Sequence, residues 1–362
     1  MISPYLKIDI NKLQLNAKYI LDLCNYNAVN PFAVVKVLSG DLTCVQTIID
    51  SGYEYIADSR IDNLEKFQDL NCKKVLLRST IPSEAKKVVL FSDISLETEI
   101  GIIEALNIEA RMINKIHEII LMFDLGDLRE GIFFKDEYLH IVKEILDCSF
   151  IKLRGIGTNL TCYGGIIPTQ DNLQELIKIK NNIEEAFSIK LDIISGGNSS
   201  SLYLLHNNKI PNEINNLRIG EAIMLGRETA FGKGITNMYN DVFTLSSEII
   251  ELKNKPSFPI GISNMNAFGE KPNIVDKGIM KRALLPIGRQ DVLKENIFPS
   301  NPKIELIGQS SDLLIVNVNN QPYYLGDTLS FNLNYAGLLQ VMTSKYVKKI
   351  YINKPKIKTK LN

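Results

Sequence analysis

The sequence is poor in the residues that build metal centres and disulfide frameworks. Among 362 residues it has three histidines, no tryptophan and five cysteines, none of them in a Cys-x-x-Cys spacing. An odd number of scattered cysteines predicts neither a set of disulfides nor a structural zinc site. We therefore expect no metal cofactor, free thiols and a protein that works in a reducing compartment, the cytoplasm.

An excess of charge of either sign is also missing. The chain has 41 Lys and Arg against 41 Asp and Glu, so its formal net charge is zero. Nucleic-acid-binding proteins usually present a basic face, and no nucleic-acid partner is expected. Neither a run of about 18 apolar residues nor the pattern of a signal peptide occurs. The composition predicts a soluble protein without a membrane partner.

What the sequence does contain is an alternation of short apolar segments with longer amphipathic ones. The segment 172–187 shows the helical spacing, with Thr169 as its predicted N-cap. Eight segments have the composition of buried strands: VVKV (34–37), YIAD (55–58), KVLL (74–77), DISL (93–96), IILMFD (119–124), LRGIG (153–157), LDII (191–194) and LRIG (217–220). Eight strand–helix units in succession predict a (β/α)8 TIM barrel over residues 11–232.

Beyond the predicted barrel the pattern changes to short β-like segments interrupted by Pro, Gly and Asn. This pattern predicts a smaller C-terminal all-β domain over residues 233–352. The early segment LKIDI precedes the first helix, and we expect residues 5–10 to join this second domain. The basic end of the chain, 353–362, is predicted to be a solvated tail.

Lys36 interrupts the valine run in FAVVKVLSGD (32–41). A lysine is rarely buried without compensation of its charge, and desolvation lowers its pKa. Lys36 therefore either reaches solvent at the end of a strand or acts as a neutral amine. In a TIM barrel the reactive groups project from the carboxyl-terminal rim, where Lys36 would lie. Its position favours a chemical role.

Two Gly-rich or helix-starting segments, SGGNSSSL (195–202) and RIGEAIMLG (218–226), follow the seventh and eighth predicted strands. Such loops commonly bind phosphate through backbone N–H groups, although an ordinary Gly/Ser turn has the same composition. A rim lysine together with a phosphate site suits pyridoxal 5′-phosphate (PLP). Arg218 could then contact the pyridine nitrogen or form a structural salt bridge, and Arg129 could donate to the phenolic oxygen.

The order of several long motifs resembles the fold-type III PLP enzymes of the alanine racemase family, and in particular the ornithine racemase branch. The resemblance covers roughly residues 5–352. It rests on VVKV with Lys36, DLGDLREGI (124–132), GIGTNLTCYGG (155–165), SGGNSSSL, NLRIGEAIMLGRE (216–228), KRALLPIGRQDV (281–292), GQSSD (308–312) and NYAGLLQVMTSKYVKKIY (334–351). It implies an amino-acid racemase, an isomerase, acting on ornithine or a related basic amino acid, or on alanine. It also implies a homodimer whose active site is shared between subunits.

The resemblance further implies the cofactor contacts. Lys36 would bind PLP covalently, Arg218 would hydrogen-bond the pyridine nitrogen, and Arg129 would bind the phenolic oxygen. Asn159 stands where alanine racemase has a histidine that stacks on the cofactor. The residues implied for the phosphate are Asn198, Ser199, Ile219, Gly220, Glu221 and Tyr335.

The proton donor on the face opposite Lys36 stays open. Alanine racemase uses a tyrosine of its C-terminal domain, and the matching segment IGRQD has Arg289 instead. Arg289, directly or through a water, Cys162 and Tyr163 are the candidates. Arginine is a poor base because its pKa exceeds about 12, whereas a thiol near about 8.5 or a perturbed phenol is tuned more easily.

For a basic substrate, Asp312 in GQSSD, with Ser310 and Ser311 beside it, is a candidate anchor for the distal ammonium. A turn-capping role for Asp312 is the alternative. Acidic residues around Arg129, namely Asp124, Asp127 and Glu130, are expected to be solvated or to position that arginine.

Two other functions fit parts of the pattern. One is a decarboxylase or D-amino-acid lyase on the same scaffold, but GQSSD lacks the Cys–Asp pair of the decarboxylases. The metal-dependent lyases need His or Cys ligands near the C-terminus, and no histidine lies beyond His206. The other is a non-catalytic PLP carrier, which would lack the C-terminal β-domain.

Overall fold

A computed structural model describes residues 3–353 of the chain. Those residues form two compact units. One is Lys12–Asn240, and the other joins the N-terminal residues up to Asn11 with the chain from Asp241 onward. The segment KPKIKTKLN, predicted as a solvated tail, lies outside the described residues.

From the N-terminal strand to the end of the barrel, the elements mostly alternate between strand and helix. In chain order they are β1 (Tyr5–Asp9), α1 (Ile10–Tyr26), β2 (Asn30–Val34), α2 (Leu42–Asp50), β3 (Tyr55–Asp58), α3 (Ile61–Lys66), β4 (Lys73–Leu76), α4 (Ala85–Phe91), β5 (Ile94–Glu97), α5 (Ile100–Met112), β6 (His117–Asp124), β7 (Ile132–Phe133), α6 (Leu139–Asp147), β8 (Ile151–Thr158), α7 (Gln170–Phe187), β9 (Ile193–Ser195), α8 (Leu202–His206), β10 (Asn216–Ile219) and α9 (Glu221–Leu225).

The remaining elements are mostly strands. They are β11 (Phe243–Glu248), β12 (Glu251–Pro256), β13 (Ile279–Leu285), β14 (Ile297–Pro299), β15 (Glu305–Gln309), β16 (Leu314–Asn317), β17 (Thr328–Leu333), α10 (Tyr335–Thr343) and β18 (Lys348–Ile352). Short 3-10 helices occur at Lys36–Leu38, Pro82–Glu84, Ser199–Ser201 and Lys294–Asn296.

The first unit is a closed parallel barrel, as predicted. Strands β2, β3, β4, β5, β6, β8, β9 and β10 pair in that order, and β10 pairs with β2 to close the ring. Helix α7 begins after Thr169, whose hydroxyl accepts the backbone N–H of Asn172, and this confirms the predicted N-cap.

The barrel interior is apolar and tightly packed. Its buried cluster consists of Phe32, Val34, Ala57, Val75, Ile94, Leu96, Ile120, Met122 and Ile193. Strand β8 approaches β9 so closely that a Cβ at Gly155 would lie 1.9 Å from the carbonyl oxygen of Ile193. Only glycine fits there, because a methyl group would push the two strands apart.

The first barrel strand ends earlier than predicted. Strand β2 stops at Val34, and Lys36 begins a 3-10 helix instead of lying within a strand. The N–H of Val35 still donates to the carbonyl of Ala57 at 2.8 Å, but its ψ of 3° turns the chain out of the sheet. The valine content of VVKV predicted a strand, and backbone dihedrals that composition does not reveal ended it.

Over the described residues of the second unit there are two sheets, the α-helix α10 and one short 3-10 helix. A five-stranded sheet has the order β14-β17-β11-β1-β18, and a four-stranded sheet has the order β12-β13-β16-β15. Strand β1 pairs antiparallel with β11 and parallel with β18, so the N-terminal strand belongs to this unit. Helix α10 follows β17 and adds a helical element to an otherwise β-rich unit.

Three structural findings concern membrane-spanning helices, metal ligands and cysteines. Between residues 3 and 353 no helix is long and apolar enough to cross a membrane. Over the same residues no group of three or more His, Cys, Asp or Glu side chains is arranged to hold a metal ion. All five cysteines carry free thiols.

Candidate active site at the carboxyl-terminal rim of the barrel

Lys36 lies directly beyond the carboxyl end of β2 and is exposed. Because β2 pairs in parallel with β10, the segment after β2 lies beside the segment after β10, which contains Gly220. The contact is close, since a Cβ at Gly220 would lie 2.9 Å from the carbonyl oxygen of Val34. Ring closure thus places Lys36 near the turns that follow the last strands.

Arg218 is a buried cation on β10, with 4% of its surface exposed. One guanidinium nitrogen donates to Ser195 Oγ at 2.5 Å, and the other donates to the carbonyl of Thr158 at 2.6 Å. Burial lowers the pKa of Arg218 to about 10, and the Glu130 carboxylate opposes that shift. Because these hydrogen bonds go to neutral oxygens, a salt bridge is not what holds the side chain.

The end of β8 and the turns after β9 and β10 carry polar hydrogen-bonding groups. Ser199 Oγ lies 3.4 Å from the backbone nitrogens of both Gly220 and Ala222, at the long limit of a hydrogen bond. The hydroxyls of Ser200 and Thr158 are buried and have no hydrogen-bond partner in the described structure. Buried polar groups are normally satisfied, so these atoms mark a place where a polar ligand would be stabilised.

Asn198 links these polar turns to the loop after β8. Its side-chain oxygen accepts the N–H of Ser200 at 2.8 Å. Its amide nitrogen lies 2.9 Å from Asn159 Oδ1, 2.9 Å from the carbonyl of Leu160 and 3.4 Å from Cys162 Sγ. The predicted residues Asn159, Cys162 and Asn198 are therefore brought together.

The side chain of Glu221 is not available for the predicted phosphate contact. Its carboxylate pairs with the guanidinium of Arg227, with nitrogen–oxygen distances of 2.6 and 2.5 Å. A carboxylate repels an anionic ligand, so only the backbone of Glu221 is suited to the predicted role.

Arg129 is held by Glu130. Its Nη2 lies 2.5 Å from Glu130 Oε1, its Nε makes a second close contact with the same carboxylate, and Asn159 Nδ2 donates to Oε1 at 3.0 Å. Burial raises the pKa of Glu130, and the charges of Arg129 and Arg218 oppose the shift. Glu130 thus positions Arg129, one of the two roles expected for it.

Of the two roles expected for the neighbouring aspartates, the solvated one is wrong. Asp124 and Asp127 are 7% and 1% exposed, and their carboxylates accept backbone N–H groups. The partners of Asp127 lie in the loop after β8, which no local pattern around DLGDLREGI identifies. Thr158 was also not identified from the sequence as a site residue, although its place at the carboxyl end of a barrel strand could have indicated it.

Cys162 and Tyr163 differ in their surroundings. Although Cys162 is exposed as a residue, partial desolvation of its sulfur raises the pKa of the thiol, and the charges of Arg129, Lys36 and Arg218 oppose that shift. Tyr163 has 76% of its surface exposed. Of these two candidates, Cys162 is the one whose side chain contacts the linked residues Asn198, Asn159, Glu130 and Arg129, which we call the rim cluster.

Other carboxylates at the rim serve the scaffold. Burial raises the pKa of Asp58 to about 6, while hydrogen bonds from the Arg60 backbone and the Asn63 side chain oppose the rise. Glu97 is fully buried and accepts the N–H and the hydroxyl of Thr80. Both residues fix the loops that follow β3 and β4.

In the second unit the loops that carry Arg289 and GQSSD lie against each other. The N–H of Arg289 donates to the carbonyl of Ser310 at 3.0 Å. Gly288 permits this approach, because a Cβ there would lie 1.9 Å from the carbonyl oxygen of Ser311. Asp312 Oδ1 accepts the hydroxyls of Ser310 and Ser311.

Arg289 forms a bidentate ion pair with Glu270, with nitrogen–oxygen distances of 3.0 and 2.8 Å, and its guanidinium stacks 3.8 Å from the ring centre of Phe268. The hydrogen bonds that Arg289 donates to Glu270 raise the pKa of Arg289 further, so it is even less suited to accept a proton. Tyr335, the remaining predicted phosphate contact, is half-buried in the first turn of α10.

Comparison with known proteins places this geometry in a family. The model of the alanine racemase N-terminal domain matches residues 8–228. The chain is 46% identical over 348 residues to an ornithine racemase of Acetoanaerobium sticklandii, covering 96% of this chain and 99% of that protein. It is 34% identical over 354 residues to a lysine racemase of Thermotoga maritima, covering 97% and 99%.

Solved structures agree on the fold. An alanine racemase of Clostridium difficile 630 has a TM-score of 0.75 at 15% identity, covering 97% of this chain and 96% of that one. An alanine racemase of Bartonella henselae with covalently bound pyridoxal phosphate has a TM-score of 0.74 at 17% identity, covering 97% and 100%. With the family model and both sequence relatives, these findings show that the chain belongs to the alanine racemase family and is a racemase.

Proposed function

We propose that this racemase uses PLP to interconvert the L and D forms of a basic amino acid, with ornithine as its first candidate substrate. The observation that carries the proposal is the joint placement of Lys36, buried Arg218 and the polar turns at 195–202 and 218–226 on one rim. The two curated relatives, an ornithine racemase and a lysine racemase, support a basic substrate.

The residues present fit PLP. The unpartnered hydroxyls of Thr158 and Ser200, and the long contacts of Ser199 Oγ with two backbone N–H groups, are suited to receive an anionic, hydrogen-bonding ligand. The Lys36 amine would hold the cofactor covalently, and Asn198 and Ser199 would hold its phosphate. When bound, PLP makes the Cα–H of an attached amino acid acidic by delocalising negative charge into its ring.

The charged groups around the Cys162 thiol are the cations Lys36, Arg129 and Arg218 and the carboxylate of Glu130. These three cations attract a phosphate and the carboxylate of an amino-acid substrate. With a pKa of about 10, Arg218 remains a cation at neutral pH. It can only donate to a pyridine nitrogen, which stays largely unprotonated, and this favours return of the proton to Cα over transamination.

Lys36 would move the proton on one face of Cα. For the opposite face we propose Cys162, because its sulfur lies within hydrogen-bonding distance of Asn198 in the rim cluster. The two other candidates are less suited, since Glu270 occupies the Arg289 guanidinium and Tyr163 extends into solvent. The thiol form of a cysteine donates a proton and its thiolate form accepts one, so the two forms together serve racemisation in both directions.

We also propose that the enzyme is a homodimer in the cytoplasm. The resemblance implies the dimer, and an apolar segment of the second unit supports it: Ile260, Ile262 and Met265 are 91%, 108% and 70% exposed. Large exposed apolar groups close in sequence are typical of an interface. The five free thiols are consistent with a reducing compartment.

Replacement of Lys36 tests the proposed function most simply. We expect Lys36→Ala to lower racemisation and exchange of the ornithine Cα proton into D2O by roughly 10³-fold or more, because the covalent amine and one proton carrier are both removed. Circular dichroism follows racemisation and NMR follows exchange. Lys152→Ala, at the amino end of β8, is the matched control and should retain activity. Exchange within tenfold of wild type in Lys36→Ala would contradict the assignment.

Replacement of Cys162 separates the two faces. In Cys162→Ser we expect racemisation to fall by about 100-fold. Lys36 should still exchange the Cα proton of one enantiomer with solvent and return it without inversion. Chiral chromatography combined with mass spectrometry measures both. Cys148→Ser, a half-buried cysteine after α6, is the control. Equal loss of exchange from both enantiomers would show that Cys162 does not serve one face.

Replacement of Asp312 tests whether the enzyme prefers a basic substrate. If its carboxylate contacts the distal ammonium, Asp312→Asn should raise KM for ornithine by about tenfold or more and leave alanine turnover little changed, because a charge-assisted hydrogen bond is lost. Steady-state kinetics with both amino acids measure the difference. Asp327→Asn, in another turn of the second unit, is the control. An equal effect on both substrates would assign Asp312 to its turn alone.

A further inference from the structure

The carboxylate of Asp127 is buried and engages four backbone N–H groups of one loop. Oδ1 accepts from Thr161 at 3.0 Å and from Ile166 at 3.2 Å, and Oδ2 accepts from Cys162 at 3.0 Å and from Tyr163 at 2.9 Å. A carboxylate has about four lone-pair sites, so this set fully uses its capacity. Asp127 is 1% exposed, and its hydrogen bonds are therefore shielded from water.

The backbone makes the same junction. The N–H of Gly164 donates to the carbonyl of Asp127 at 3.2 Å, and a Cβ at Gly164 would lie 2.9 Å from that oxygen. The loop formed by residues 161–166 and the turn formed by residues 124–131 are thus in direct backbone contact.

The loop is held in a conformation that it would not adopt freely. Thr161 has a φ of 70°, and a β-branched residue is a clear outlier in the left-handed region. Such strain persists only where surrounding interactions impose it, and it is concentrated at functional sites. The N–H groups that donate to the Asp127 carboxylate begin with that of Thr161 itself, so this carboxylate supplies the restraint.

The restrained loop forms one wall of the proposed active site. At its start, Asn198 contacts Leu160 and Cys162, and Asn159 joins Asn198 to Glu130. The phosphate turn, the thiol and the Arg129 pair are therefore connected through residues 159–162, the segment that leads into this loop. A shift of the loop would move Cys162 and Asn198 together.

We propose that Asp127 is a positioning residue for the reaction: its buried carboxylate fixes the loop 161–166, and so holds Cys162 and Asn198 in place. This inference rests on the proposed function, because it assumes that the loop borders the reacting amino acid. Asp127 is not one of the proposed cofactor contacts, and its role is to keep the loop 161–166 rigid beside the site.

Asp127→Asn tests the proposal in the full-length holoenzyme. The amide replaces one acceptor with a donor that faces N–H groups, so we expect the amides of residues 161, 162, 163 and 166 to exchange with deuterium about tenfold faster, the factor of one lost charge-assisted hydrogen bond. Hydrogen exchange with mass spectrometry of peptides covering 159–168 measures this. At saturating PLP, kcat should fall by about 10- to 100-fold with KM changed less, since the groups are displaced rather than removed.

Two further variants give the comparison. Asp124→Asn loses acceptors for Gly126 and Leu128 in the same turn, so it should speed exchange there and leave 159–168 protected. Gly164→Ala adds a methyl group on the loop that would lie 2.9 Å from the carbonyl oxygen of Asp127. It should reproduce the faster exchange and the lower kcat of Asp127→Asn, and it gives a second test if that variant folds poorly.

Two results would overturn the inference. One is wild-type protection of the four amides in Asp127→Asn. The other is faster exchange with an unchanged kcat, which would give the hydrogen bonds between Asp127 and the loop a purely structural role. The exchange measurement needs no turnover. A protein in which Asp127 protects the loop but which racemises no amino acid would therefore contradict the proposed function and not the role of Asp127 in fixing the loop.

Discussion

Closure of the barrel between its first and last strands is the constraint on which the site depends. Strand β10 pairs in parallel with β2, with Ile219 opposite Ala33, although the two lie far apart in sequence. The tight packing of Gly220 on Val34 keeps the ends of these strands together. Without that pairing, the exposed amine of Lys36 and the polar turns after β9 and β10 would share no common surface.

The electrostatics of the rim follow from where the barrel places its charges. Arg218 projects from a barrel strand into a buried position where two neutral oxygens hold it. Burying a cation in this way is costly unless hydrogen bonds compensate it, and its depressed pKa reflects the cost. Glu130 supplies a partly compensating charge and positions Arg129. The remaining positive charge is what an anionic cofactor and an amino-acid carboxylate would neutralise.

The sequence predicted the elements that show a periodic apolar pattern or begin at a helix-capping residue. Alternating apolar segments predicted the barrel, and Thr169 predicted the start of α7. The resemblance of several long motifs to the alanine racemase family directed attention to the rim residues. In each case the information lies within a few residues of the element it describes.

What could not be predicted depends on contacts between distant segments. The end of β2 before Lys36 depends on the dihedrals of Val35, which its β-branched neighbours do not signal. Asp127 appeared to be a solvated charge because its partners are backbone N–H groups 34 to 39 residues away. Arg289 is occupied by Glu270, which lies in a segment without a regular pattern.

The central claim is that the Lys36 amine carries PLP. It is tested most directly by loading the protein with PLP, reducing the linkage with borohydride and locating the phosphopyridoxyl group by peptide mass spectrometry. The account predicts one modified residue, Lys36, with loss of the adduct when ornithine is added before reduction. Modification of another lysine, or of none, would contradict it.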